Sequence, residues 1–288
     1  MIKTILASLT GYASDRTVLD AAVAAARIDG AHIHCLHTRI GAIQASTLVE
    51  YSQANRHLDL HAVSQQIAAE QAERLLHAKA AFEDACKRHS LPVMDTPSGA
   101  AGASASWQDV ETLFNETLHQ ASYHDLVVMA RDAELSRERI ESVLMLSGRP
   151  LLLAPPKPVD VIGRKVAIAW KQGAESARAL TAASAILSRA QQVFILSVSN
   201  NEAGDDTDRF SAETLARKLK WRGITAQVRM EYSPASSEAV ALKEMAYNCD
   251  ADLLVMGAYG HNRVREFIFG GVTRDTLADC AIPVFMSS

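Results

Sequence analysis

The chain has 288 residues, long for one domain and comfortable for two. Hydrophobic residues make up 48% and charged residues 22%, enough for a proper core in each half. A formal net charge of −4 provides no field to attract nucleic acid or an anionic membrane, so any anion site has to be built locally.

The opening segment MIKTILASLTGYASD has too short an apolar stretch for a signal peptide, and no later run approaches transmembrane length. The four cysteines are scattered, without C-x-x-C spacing; Cys35 and Cys249 lie beside apolar runs and read as buried thiols, which suits a reducing compartment. The expectation is a soluble cytoplasmic protein.

The first element is a short apolar strand, TILASL, followed by a turn at Thr10-Gly11 and an Ala-rich helix. HIHCLHTRI reads as a second strand, with His32 and His34 on one face and His37 on the other; strand-end histidines are favoured over a metal site. A polar insertion over 41–66 leads into a helix from about Ala62 to His89. DTPSGAAGASASWQ, with 95–106 at its heart, reads as a small-residue loop. YHDLVVMA is a buried strand, and Asp125 before it is placed to make turn bonds. The half closes with RPLLLAPP.

Prolines in APPKPVDVIG break helix and sheet, which divides the chain into 1–156 and 159–288. The second half repeats the first. RKVAIAW and QVFILSV are strands buried on both faces. Ser176–Ser188 reads as a helix with Ala177, Leu180, Ala183 and Leu187 inward, and Arg209–Trp221 as a helix with Phe210, Leu215 and Leu219 inward. TAQVRMEY alternates and belongs near a sheet edge; Ser236–Asn248 is helical; DLLVM, preceded by Asp252, and PVFM are the last strands. Alternating short strands and helices imply a parallel, doubly wound α/β sheet in each half.

In such a sheet, ligands bind outside the carboxyl ends of the strands. There the second half carries VMGAYGHNRVREFIFGGVTRDTL, which holds Gly257, Gly260, Gly270 and Gly271. Glycine lets backbone approach a ligand closely, and the residues after Gly271 resemble a helix start capped by Thr273. A helix start suits a phosphate. His261, Arg263, Arg265 and Arg274 add cations, although a solvated loop face accounts equally for Arg263 and Arg265 and better for Arg274. No Lys-Ser or Lys-Thr follows these glycines, as a Walker A loop requires, and they follow the fourth strand rather than the first, which excludes a dinucleotide fingerprint.

Gly257-x2-Gly260-x9-Gly270 and its flanks, DADLLVMGAYGHN and LADCAIPVFM, resemble the universal stress proteins, within the wider adenine nucleotide α-hydrolase group. The resemblance covers nearly the whole chain, closely in the second half and loosely in the first. It implies five parallel strands per half and an internal pseudo-dimer joined through the last strands; a further homodimer is compatible with it. It also implies ATP or a related adenine nucleotide as ligand, with no metal required. Carried over, Gly257, Gly260, Gly270, Gly271, Val272 and Thr273 correspond to the phosphate loop, with His261 and Arg263 beside it. Val198 corresponds to the adenine contact, and Ala169 and Met256 lie by the base. Two positions depart from the family pattern: Gly271 replaces a Ser/Thr, and Lys171 replaces the carboxylate that holds ribose. An ammonium only donates, so Lys171 is suited to a phosphate instead.

In the first half, Thr10 takes the carboxylate position, and the stretch from Met129 to Pro150 is shorter than that from Met256 to Pro283. It lacks glycine until Gly148 and carries acidic residues, so this half reads as a degenerate partner. Trp107, Trp170 and Trp221 read as packing or pocket walls, and no catalytic Ser-His-Asp grouping or H-E-x-x-H appears. The sequence therefore supports a nucleotide-binding regulatory module with at most slow ATP hydrolysis. A non-nucleotide interaction protein of the same fold is the alternative, and an enzyme the least favoured reading.

Overall fold

The computed structural model describes residues 1–39, 60–96, 102–111, 116–131, 135–199, 206–233, 238–258 and 280–288. The first half contributes β1 (Thr4–Leu9), α1 (Asp15–Asp29), β2 (His32–Arg39), α2 (Leu60–His89), β3 (Ser104–Glu111), α3 (Glu116–Ala121), β4 (Leu126–Met129), α4 (Leu135–Leu146) and β5 (Leu151–Leu153). The second contributes β6 (Lys165–Ala169), α5 (Ala174–Ala182), α6 (Ser184–Leu187), β7 (Gln192–Ser199), α7 (Asp206–Lys220), β8 (Ala226–Tyr232), α8 (Glu238–Asn248), β9 (Leu253–Gly257) and β10 (Val284–Ser287).

The strands form one ten-stranded sheet in the order β3-β2-β1-β4-β5-β10-β9-β6-β7-β8. Each half is thus the same doubly wound parallel unit, and the two meet where β5 and β10 pair antiparallel, with Leu152 opposite Phe285. Both residues are fully buried. Apolar clusters on either face of the sheet run through both halves, as expected for central strands made almost wholly of Val, Ile, Leu and Ala.

Two aspartates set the register at the amino ends of the strands. Asp125 accepts from the backbone N–H groups of Lys3 and Thr4 at 2.8 and 3.0 Å. Asp252 accepts from Gly163, Arg164 and Lys165 at 2.6, 3.0 and 3.2 Å. Each ties the fourth strand of its half to the first, a tie across the sheet in place of the local turn bonds expected of both. Burial raises the carboxyl of Asp252 despite its donors, whereas at Asp125 the Lys3 and Thr4 bonds outweigh burial and hold it below the ordinary value.

Five further expectations need correction. The supposed small-residue loop contains β3, whose eight residues pair in register with β2. Ala and Ser have weak strand propensity, but Ala105 is buried and Ser104 and Ser106 bond histidines across the pair, so pairing overrides propensity. Ala177 is exposed and Ala179 takes its inward place, because α5 and α6 together bury the stripe Ala179, Leu180, Ala183, Ile186 and Leu187. Phe210 is 65% exposed, with the Arg217 guanidinium 5.7 Å from its ring centre, while Ala212, Leu215 and Leu219 face the core; Trp221, just past α7, is exposed too. Cys249 is half-buried rather than buried, and Cys35 is buried, which pushes its thiol well above the usual range. The helix expected over Ser236–Asn248 agrees with α8 from Glu238 on, Ser236 and Ser237 lying outside the described residues, and the edge-strand expectation agrees with β8.

Candidate functional site

In the second half, β6 and β9 are neighbours, with β7 and β8 on one side and β10 on the other. The chain winds in opposite directions from the β6–β9 pair, so the carboxyl ends of these strands form the switch point where doubly wound sheets bind ligands. Ala169 ends β6 and pairs with Leu196 of β7 and with Met256 of β9. Residues paired in parallel register share a face, and Val198 follows Leu196 by two. Ala169, Val198 and Met256 accordingly join one apolar cluster with Ala241, Leu242 and Met245 of α8. These three of the expected site residues are thus brought together, on the α8 face.

Lys171 follows two residues beyond Ala169. Its ammonium lies 3.8 Å from the carboxylate of Glu238 in the first turn of α8. Lys171 is 68% exposed, whereas the Glu238 side chain is only 12% exposed. Sequence reasoning missed Glu238, which arrives from another crossover far away in the chain. Its one available signal is an acid at the start of a helix.

Gly257 ends β9 for a steric reason. A Cβ there would meet Ser176 N at 2.5 Å and Glu175 C at 2.7 Å, so the first turn of α5 seats directly on the strand end. Trp170 turns to the opposite face, where its indole N–H donates to Ser211 Oγ at 3.0 Å. Of the remaining expected residues, Gly260, His261, Arg263, Gly270, Gly271, Val272 and Thr273 lie outside the described residues, as do Arg265 and Arg274.

The same edge of the first half is organised differently. The buried Asp15 accepts from Thr10 N at 2.8 Å, Thr10 Oγ1 at 3.1 Å and Gly11 N at 2.8 Å, so the carboxylate closes its own turn. Burial pushes its carboxyl up despite these donors. Gly11 has φ +79°, and a Cβ there would lie 2.5 Å from the Arg74 backbone, so α2 is pressed against this turn. The Arg74 guanidinium lies 4.6 Å from the Tyr12 ring centre. At the end of β2, the buried His37 bonds Asp109 at 2.8 Å and stacks near Trp107, and Arg39 bonds the other Asp109 oxygen at 2.8 Å. Burial would raise the Asp109 carboxyl, but Arg39 and His37 outweigh it and hold the group below its ordinary value. Arg131, after β4, donates to the carbonyl of Cys280 in the other half.

On the opposite face of β2, His32 bonds Ser104 and Ser106, and His34 bonds Ser106 and Gln108, all at 2.8–3.0 Å. His34 stacks on His124 with ring centres 5.5 Å apart. Among the described residues, no group of three His, Cys, Asp or Glu is placed to hold a metal ion, and no helix is long and apolar enough to cross a membrane.

Residues 164–287 match the model of the universal stress protein family. Comparison with curated protein sequences yields no match. Among solved structures, the whole chain is similar to a universal stress protein from Archaeoglobus fulgidus DSM 4304, with TM-score 0.66 and 16% identity over 99% of this chain and 98% of that one. It is also similar to a candidate universal stress protein from Pseudomonas aeruginosa UCBPP-PA14, with TM-score 0.60 and 14% identity over 99% of this chain and 93% of that one. At such identities the likeness speaks for the fold alone.

Proposed function

We propose that the second half, whose residues 164–287 match the universal stress protein family model, binds ATP or a related adenine nucleotide as a regulatory module. The observation that carries this reading is the convergence of Ala169, Val198 and Met256 on one sheet face at the switch point, with the Lys171 ammonium beyond them. An apolar floor suits a purine, and a cation at its rim suits a phosphate chain. The phosphates are assigned to Gly257, Gly260, His261, Arg263, Gly270, Gly271, Val272 and Thr273, where the glycines and the helix start expected from the sequence favour anions.

The first half, taken as 1–156 beside 159–288, is a partner domain without a nucleotide of its own. Its Asp15 is spent on the Thr10-Gly11 turn, and α2 covers that turn. We take the protein to be cytoplasmic, in keeping with its free cysteines, and to hydrolyse ATP slowly if at all.

Isothermal titration with ATP, ADP and AMP tests the reading. Measurable affinity that disappears in Gly260→Val is the expected result. A folded protein that gives no heat with any of the three overturns it. That outcome favours the second reading, an interaction protein of the same fold, for which the Lys171–Glu238 ion pair across the strand ends speaks.

A further inference from the structure

A ribonucleotide at this edge brings more than a base and phosphates. Its ribose carries two vicinal hydroxyls, which are hydrogen-bond donors in search of an acceptor. Around the apolar floor, Ala169 and Val198 offer no side-chain acceptor, Met256 only a weak thioether, and Lys171 only donates. Glu238 does accept. Its carboxylate lies against Lys171 at 3.8 Å, on the same side of the sheet as that floor, at the amino end of the helix that covers it.

Three features mark Glu238 as more than a surface charge. Its side chain is 12% exposed, so water satisfies little of it. Its contact with Lys171 is longer than a hydrogen bond, which leaves lone pairs on both oxygens for other donors. A pair with one partner 68% exposed contributes little stability, so packing alone is a weak reason to hold a carboxylate there.

We propose that Glu238 is the sugar-reading residue of this site: its carboxylate accepts hydrogen bonds from the ribose hydroxyls of the bound nucleotide, while Lys171 turns to the phosphates. The inference rests on the nucleotide reading above. It makes the site selective for ribonucleotides over sugars without the vicinal hydroxyls, and it moves the acceptor from the first strand–helix turn to α8.

The test compares ATP with 2′,3′-dideoxyATP by isothermal titration, on the full chain and on Glu238→Ala and Glu238→Gln, with circular dichroism to confirm folding. Hydrogen bonds to a charged acceptor predict that removing the hydroxyls weakens binding to the unaltered protein by about tenfold or more. In Glu238→Ala this penalty falls to about threefold or less, with Glu238→Gln between the two. If Glu238→Ala does not fold, the Gln variant, which keeps the side chain's size, carries the comparison. Equal affinity of the unaltered protein for ATP and the dideoxy compound overturns the proposal, as does a penalty that persists unchanged in the variants. Absence of affinity for any nucleotide is a different result, because it removes the nucleotide reading itself.

Discussion

The two halves run the same strand order and differ at the carboxyl edge of their sheets. In the first, the acid nearest the β1 turn points inward and serves the backbone: Asp15 takes three hydrogen bonds from Thr10 and Gly11. In the second, the corresponding turn carries Lys171, and the acid that meets it comes from α8. The fourth strands diverge as well. Ala130 follows β4 without difficulty, whereas Gly257 has the backbone of α5 where its Cβ would be. One half has closed its edge with its own side chains and α2. The other keeps charged groups at the rim of an apolar floor.

The seam between the halves offers the largest test of how far this divergence goes. Phe285→Ala is expected to cost about 3–5 kcal/mol, as for other buried aromatics. Because the apolar clusters run through both halves, calorimetry should still give a single transition. Two transitions would mean that the halves are independent and merely adjacent.

Next comes a pair of substitutions at matching positions. Gly257→Ala drives a methyl group into the α5 backbone and is expected to destabilise by about 1–3 kcal/mol. Ala130→Gly, its mirror change, should cost about 0.5–1 kcal/mol. Equal values in chemical denaturation would erase the contrast between the strand ends.

Asp15→Ala leaves the Thr10 and Gly11 N–H groups without their acceptor in a buried turn, for a loss of about 1–3 kcal/mol. Since that carboxylate serves the turn, the nucleotide affinity proposed for the second half should not change. A fall in affinity at constant stability would link the two edges after all.

The smallest expected effect is a pH dependence confined to the first half. Burial comes first in lowering both His32 and His34 below their ordinary value of 6.5, and the like charge of His124 adds to it; Asp95 opposes at both, and at His34 the Gln108 bond opposes more strongly. The folded state therefore prefers them neutral. Their contribution to stability is complete above pH 6.5 and fades as pH falls through the lowered values. The double variant His32→Gln, His34→Gln should flatten the melting temperature between pH 7 and pH 5, while the same change made in an edge residue of β8 should not.

Much of this fold is legible because its central strands are nearly pure Val, Ile, Leu and Ala, a signal that survives without neighbours. The aspartates before β4 and β9 are readable as backbone acceptors, but not the first strands they reach, because that partnership exists only once the sheet is assembled. β3 escaped because its Ala and Ser become strand-like only beside the histidines of β2. The inward faces of α5 and α7 were partly misread because a helix's phase depends on where it starts, and Ala177 and Phe210 sit on the wrong side of the true stripe. At the candidate site, Ala169, Val198 and Met256 were legible only through the family resemblance, which placed them at strand ends. Glu238 was not legible, because its meaning depends on a Lys that precedes it by a helix–strand–helix–strand path.

The antiparallel pairing of β5 with β10 has a consequence for mass action. Two separate chains joined by three paired residues a side would come apart on dilution. Within one chain the same pairing sees a fixed effective concentration and persists at any dose of protein. It also ends the rule of symmetry. In a two-fold dimer every substitution appears twice, so an edge cannot be closed on one subunit and kept open on the other. Here each side mutates alone, and the chain holds two differently built sheet edges in permanent one-to-one proportion.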